Sequence, residues 1–151
     1  MAMEVAERNY RQDELYLVGI KENGIYIARK IAAYLKDVFS GKLILLELSL
    51  DKKNPGEVIL SSQNDFNGKN ILLVDDVANS GRTMLYALKP LIQQLPAQIE
   101  TLVLVERTHK RFPIAVDYVG LSVATTSQEN IEVKVEDAEI TGAWMKVGKN
   151  A

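Results

Sequence analysis

The chain has 151 residues, 47% of them hydrophobic and 25% charged, as expected for a globular protein of one domain. A net charge of −2 and an isoelectric point near 5.5 argue against general nucleic-acid binding, while leaving room for a local basic patch. No apolar run is long enough to span a bilayer, Met1–Arg11 is too charged for a secretory signal, and the lack of cysteine excludes disulfides and thiolate metal sites. No membrane partner is therefore expected, and the composition fits a reducing, cytoplasmic setting.

Met1–Asn9 has a helical look, with Met1 and Val5 on one face and Glu4, Glu7 and Arg8 off it. It is short for a starting helix and reads equally as the end of a longer one. Leu15–Ile20 (LYLVGI) is the first strand. It runs into the polar loop Lys21-Glu22-Asn23-Gly24, after which Ile27, Ile31 and Leu35 form the stripe of an amphipathic helix. Lys42–Leu50 (KLILLELSL) is the second strand. The stretch Asp51–Lys69 is polar, with turn signals at Asn54-Pro55-Gly56 and Asn67-Gly68 and the apolar triplet Val58-Ile59-Leu60 between them. A hairpin projecting from the domain is expected there.

Ile71–Thr83, ILLVDDVANSGRT, is the stretch around which the rest is organised. Ile71 to Val74 make the apolar run of a buried strand. Asp75 and Asp76 sit where that strand ends, Ala78, Asn79, Ser80 and Gly81 make a tight turn, and Leu85, Leu88 and Leu91 follow at helical spacing. Strand, tight turn, helix is a phosphate site in outline: the turn offers backbone N–H groups, and Ser80 and Thr83 offer hydroxyls. Neither GxxxxGK[ST] nor GxGxxG is present, which excludes a P-loop and a dinucleotide fingerprint. Adjacent acids would repel a bare phosphate. They suit a sugar phosphate, whose hydroxyls donate hydrogen bonds to carboxylates.

The helix expected over Met84–Gln94 contains Pro90, so its end should be irregular. Gln98–Val105 is the next strand, and the loop after it gathers Arg107, His109, Lys110 and Arg111 into one dense basic cluster. That cluster suits an anionic partner or a solvated face equally well. Val116–Gly120 and Leu121–Thr126 follow. Ile131–Val135 alternates apolar and polar residues as an edge strand does, and Ile140–Val147 reads as a final strand with Trp144 packed against it.

Val74–Thr83 resembles the phosphoribosyl-pyrophosphate motif of type I phosphoribosyltransferases: two acids, a small-residue turn and Gly-Arg-Thr after an apolar strand. Val18-Gly19-Ile20-Lys21, Gly24-Ile25-Tyr26, Glu106–Pro113 and Val116–Thr126 resemble the pyrimidine-attenuator (PyrR) branch of that family. Two departures stand out. Glu22 and Asn23 occupy positions where that branch carries Thr and Arg, and Leu48-Ser49-Leu50-Asp51 replaces a Tyr-Arg-Asp-Asp stretch. The lost Arg would have clamped pyrophosphate bidentately.

The resemblance implies an α/β fold, a single-domain parallel sheet flanked by helices over residues 1–151, with residues 51–69 as a mobile loop or hood that closes over substrate. It implies transfer of phosphoribose from phosphoribosyl pyrophosphate to a nucleobase, with uracil giving UMP. In that scheme Asp75 and Asp76 contact ribose hydroxyls and, through water, a magnesium ion, and one of them accepts the base's proton. Val77, Ala78, Asn79, Ser80, Gly81, Arg82 and Thr83 hold the 5′-phosphate. Lys21, Glu22, Asn23 and Gly24 face pyrophosphate, with Arg107 adding charge to it. Val119 and Thr125 hold the base, largely through backbone groups. A homo-oligomer, dimer or tetramer, is expected. Two alternatives accompany this reading. One is an RNA-binding regulator of pyrimidine genes, disfavoured by the acidic isoelectric point, and the other is a nucleotide-binding relative with little catalysis.

Overall fold

The structure, a computed structural model, describes residues 1–148 of the chain. The elements in order are α1 (Ala2–Arg8), β1 (Glu14–Ile20), α2 (Gly24–Leu35), β2 (Lys42–Leu50), β3 (Val58–Leu60) and β4 (Asn70–Ala78). Then come α3 (Arg82–Ala87), α4 (Lys89–Ile92), β5 (Gln98–Arg107), β6 (Tyr118–Val123), β7 (Glu129–Glu136) and β8 (Glu139–Val147). Six strands form one sheet in the order β3-β2-β1-β4-β5-β6, parallel except for the β2–β3 pair.

The sheet is covered on both faces, which is why its central strands carry uninterrupted uncharged runs, Leu15–Ile20 in β1 and Ile71–Val74 in β4. Along β1, Leu15 and Leu17 join Ile27, Ile31, Leu35, Leu72 and Leu102 in one core, beneath α1 and α2. Tyr16, Val18 and Ile20 point the other way, into a second core with Leu73, Met84, Ala87, Leu91 and Val103 under α3 and α4. Burying a side chain of this size contributes roughly 1.5–3 kcal/mol. The two cores together fix the register of β1 against β4, because a one-residue slip would exchange the faces.

Two expectations need correction. The expected Met84–Gln94 helix is two pieces, α3 and α4, joined at Leu88. Pro90 lacks an N–H and its ring crowds the carbonyl four residues back, at Tyr86. The triplet Val58–Leu60 does not form a hairpin within 51–69. It pairs with β2 instead, Leu48 opposite Leu60 and Leu50 opposite Val58, and becomes the antiparallel edge of the main sheet. Ile131–Val135 is an edge strand, as its alternation predicts, in a separate two-stranded sheet where β7 pairs with β8. Trp144 packs as expected, its ring lying over Gly142 of β8, and about half of it stays exposed.

Candidate functional site

The site is built where β1 and β4 end, the position open α/β sheets reserve for ligands. The two strands are paired up to Gly19 and Val74; β1 ends one residue later, at Ile20, while β4 runs on beside β5 to Ala78 before the chain turns. Gly24 starts α2 so close to β4 that a Cβ there would lie 2.5 Å from the Val74 carbonyl oxygen and 3.0 Å from the Asp75 Cα. Only glycine allows that approach. Gly81, at φ +84°, makes the left-handed step that opens α3. The Ser80 carbonyl between them accepts from the Arg111 and Phe112 N–H groups, each at 3.0 Å, and the Ser80 hydroxyl accepts from the Arg82 N–H at 3.3 Å. The turn is therefore held by the loop after β5.

These turns enclose a cavity of about 300 Å³. Val77, Ala78, Asn79, Ser80, Gly81, Arg82 and Thr83 all line it, with Asp76, Asn23 and Lys52. Asp75 does not. Successive strand residues face opposite ways, so Asp75 is 1% exposed and lies under the Gly24 turn, its Oδ1 accepting the Asp76 N–H at 2.9 Å. Burial, and then the neighbouring Asp76 charge, raise its carboxyl well above the ordinary range, against the pull of Lys52 at 4.0 Å. Asp76 is the one carboxylate of the pair on the cavity. Its Oδ1 accepts the Val77 N–H at 2.8 Å and its Oδ2 accepts the Asn23 amide at 2.9 Å. Among the described residues no three His, Cys, Asp or Glu side chains come together as a metal site.

Lys21, Glu22 and Asn23 line a neighbouring cavity of about 480 Å³, together with Ser49, Leu50, Asp51, Lys52 and Lys53. Arg107, expected beside that loop, is elsewhere. It ends β5, on the far side of β4, where its Nε donates to Thr125 Oγ1 at 2.6 Å and its Nη2 to the Thr126 carbonyl at 2.8 Å. Arg107, Thr125, His109, Lys110 and Arg111 line a third cavity of about 340 Å³ that meets the first at Ser80. Lys110 is already paired with Glu106 at 2.7 Å. Val119 lies in the body of β6 opposite Val103 and packs into the second core, lining none of these cavities.

The hairpin β7–β8 roofs the first cavity through Ile131, Glu132 and Val133. β7 has one edge on β8, and its other edge faces the site. Two asparagines satisfy that free edge. The Asn79 amide donates to the Ile131 carbonyl and accepts the Ile131 N–H, both at 3.0 Å. The Asn23 amide donates to the Val133 carbonyl at 3.1 Å as well as to Asp76. Beneath, Ile131 and Val133 pack on Val105 and Val77. The roof, its asparagine latch and Lys52 were not legible in the sequence as parts of one site. The signal for Lys52 was present, a Lys-Lys pair just past the carboxyl end of β2.

Three comparisons bear on this geometry. The family model described as "Phosphoribosyl transferase domain" matches residues 1–139. The "Bifunctional protein PyrR" of Streptococcus uberis is 39% identical, over 90% of this chain and 82% of that protein. The protein of the same name from a Bacillus cereus strain is 37% identical over the same shares. Among solved structures, a hypoxanthine-guanine phosphoribosyltransferase from Bacillus anthracis superimposes with a TM-score of 0.64 at 19% identity, covering 86% of this chain and 77% of that one. A Leishmania tarentolae enzyme solved with GMP reaches 0.71 at 18% identity, covering 86% and 74%. At that identity the structural likeness speaks for the fold.

Proposed function

The chain belongs to the phosphoribosyltransferase family, and from that premise we propose that it transfers phosphoribose from phosphoribosyl pyrophosphate to uracil, giving UMP. The observation that carries the reading is the cavity over the Asp76–Thr83 turn. It offers backbone N–H groups and hydroxyls for a phosphate beside a single carboxylate for ribose hydroxyls. In the reaction the bond from the anomeric carbon to pyrophosphate breaks as a bond to the base nitrogen forms. The electron pair leaves with pyrophosphate, and the base loses a proton. The transition state resembles an oxocarbenium ion, so the protein's part is to align the two partners and to place charge where it develops.

In this assignment Val77–Thr83 hold the 5′-phosphate and Asp76 holds the ribose hydroxyls. Asp75 acts from below, by fixing the Asp76 backbone. Lys21, Glu22, Asn23 and Gly24 border the pyrophosphate. Arg107 and Thr125 border the base rather than the leaving group. Magnesium fits this donor set as an ion held mainly by substrate oxygens and water, with Asp76 as its outer partner. When bound it would neutralise pyrophosphate charge. One domain, with residues 51–69 as a loop that closes over the donor and excludes water, completes the proposal. So does assembly into a homo-oligomer in the cytoplasm.

The test is product formation from phosphoribosyl pyrophosphate and magnesium with uracil, hypoxanthine, guanine and orotate in parallel. UMP with uracil alone is the expected result. Turnover with another base instead would keep the family and overturn the acceptor. A second reading, an RNA-binding regulator, draws on the name of the similar proteins, which calls them bifunctional, and on the basic loop after β5. RNA affinity that falls steeply with salt would support it.

A further inference from the structure

The β7–β8 hairpin is lightly anchored for an element that covers a site. Its two strands form a sheet of their own. Two strands alone are marginally stable in water, so the hairpin depends on what it rests against. Its buried apolar residues are Ile131 and Val133, seated on Val105 with Val77 beside them. Glu132, Lys134 and Glu136 between and beyond them are exposed. At the far end Glu139 pairs with Lys30 of α2 on the open surface, where an ion pair holds little. The polar hold over the cavity comes from two side chains. Asn79 donates to the Ile131 carbonyl and accepts the Ile131 N–H, both at 3.0 Å. Asn23 donates to the Val133 carbonyl at 3.1 Å and to Asp76 Oδ2 at 2.9 Å. An amide nitrogen carries two N–H groups, so Asn23 commits one to the roof and one to the carboxylate. These two asparagines leave different turns, after β1 and after β4, and meet the same strand. Both line the phosphate cavity, as do Asp76, Ile131, Glu132 and Val133. Roof, amides and carboxylate are one hydrogen-bonded unit around that space.

We propose that Asn23 and Asn79 form a latch that links docking of the β7–β8 hairpin to occupancy of the cavity by a sugar phosphate. The latch rests on the transfer reading for its ligand and goes beyond it in making the roof a movable part. With the hairpin lifted, both amides turn to solvent. With it docked, Asn23 holds Asp76 Oδ2 in place for ribose hydroxyls, and the cavity is covered. A ligand that binds the docked state better draws the population toward it, by as much as its affinities for the two states differ. Asn79 sets how firmly the hairpin is held in the empty protein. Asn23 carries the influence of the ribose to the roof. Through their side chains both are positioning residues.

The experiment follows amide hydrogen exchange, peptide by peptide, with and without saturating ribose 5-phosphate. The proteins are wild type, Asn23→Ala, Asn79→Ala and Asn79→Asp. In the empty protein Asn79→Ala should speed exchange over residues 129–147 about tenfold, with β1 and β4 unchanged. Asn79→Asp leaves no cavity and keeps an acceptor for the Ile131 N–H, but sets a carboxylate against the Ile131 carbonyl. It should speed hairpin exchange as well. Ribose 5-phosphate should slow hairpin exchange about fivefold or more in wild type, and less than about twofold in Asn23→Ala. In Asn79→Ala the KM for the phosphoribosyl donor should rise while kcat stays within about twofold, because bound donor restores docking. Four results would overturn the proposal: hairpin exchange that either Asn79 variant leaves unchanged, exchange that quickens equally in β1 and β4, ligand that binds wild type without slowing the hairpin, or slowing undiminished in Asn23→Ala. Hydrogen exchange does not depend on turnover. A ligand-linked hairpin in a protein that converts none of the bases would keep the latch and sink the transfer reading. Conversion of uracil with an unresponsive hairpin would do the reverse, and failure to bind ribose 5-phosphate would end both.

Discussion

Buried polar side chains gather at both ends of the sheet, and the two gatherings behave differently. Near the amino ends of β4 and β5, Asn9 donates to Glu100 Oε1 at 2.8 Å and to the Val5 carbonyl at 2.9 Å. Asn70 donates to Asn9 at 2.7 Å, and the Tyr118 hydroxyl to Glu100 Oε2 at 2.5 Å. Arg8 covers the Tyr118 ring at 4.8 Å. This cluster is closed: it ties α1 to the strands and lines no ligand cavity described above. At the carboxyl ends, Asp75 and Asp76 are packed side by side, with one of them facing a cavity and the other held in a raised-pKa state. A polar cluster that satisfies itself reads as architecture. One that keeps two acids in tension beside open space reads as a site.

The largest test of that contrast is Glu100→Ala. It removes the acceptor of two buried donors and should cost about 3 kcal/mol of stability in denaturant unfolding. The folded fraction should keep wild-type transfer activity per molecule. If activity falls further than the folded fraction, the two ends are coupled and the contrast fails. Asp76→Asn should do the reverse, lowering kcat/KM about 100-fold while the unfolding midpoint moves little.

Asp75→Asn sharpens the comparison through pH. Because its carboxyl is raised in the folded protein, Asp75 holds its proton more tightly folded than unfolded. Its contribution to stability is full below the unfolded value, near 4, and is lost as pH rises through the raised value. The variant should therefore match wild type in acid and gain on it as pH increases, in unfolding midpoints taken across that range. Parallel profiles would remove the tension assigned to the site. The smallest effect is expected from Lys146→Ala, which breaks the exposed Glu132–Lys146 pair across the β7–β8 hairpin. Exposed pairs of this kind contribute about 0–1 kcal/mol, so the melting point should barely change.

Much of this was legible in the sequence, and the failures share a cause. The Ile71–Val74 run, the turn at Ser80-Gly81 and the loop at Gly24 are local patterns, and each stands where periodicity and turn chemistry put it. The different placements of Asp75 and Asp76 were legible too, since neighbours on a strand face opposite ways, yet the pair was read as a unit. The placement of Arg107 depends on strand order, which no local pattern carries. The roof depends on pairings such as Asn23 with Val133, separated by 110 positions in the chain. At position 23 the residue type drew attention for the charge it lacks. Its amide instead spans the acid and the hairpin.

That span has a consequence for synthesis. The chain grows from its amino end, so the whole six-stranded sheet has been made before β7 exists. A nascent chain halted after β6 can fold the cores and shape the phosphate turn, but Asn23 and Asn79 then face solvent instead of a strand edge. The roof over the cavity is completed last, when the free edge of the hairpin meets two waiting amides. A ribosome-stalled series ending on either side of residues 129–136 would time that arrival.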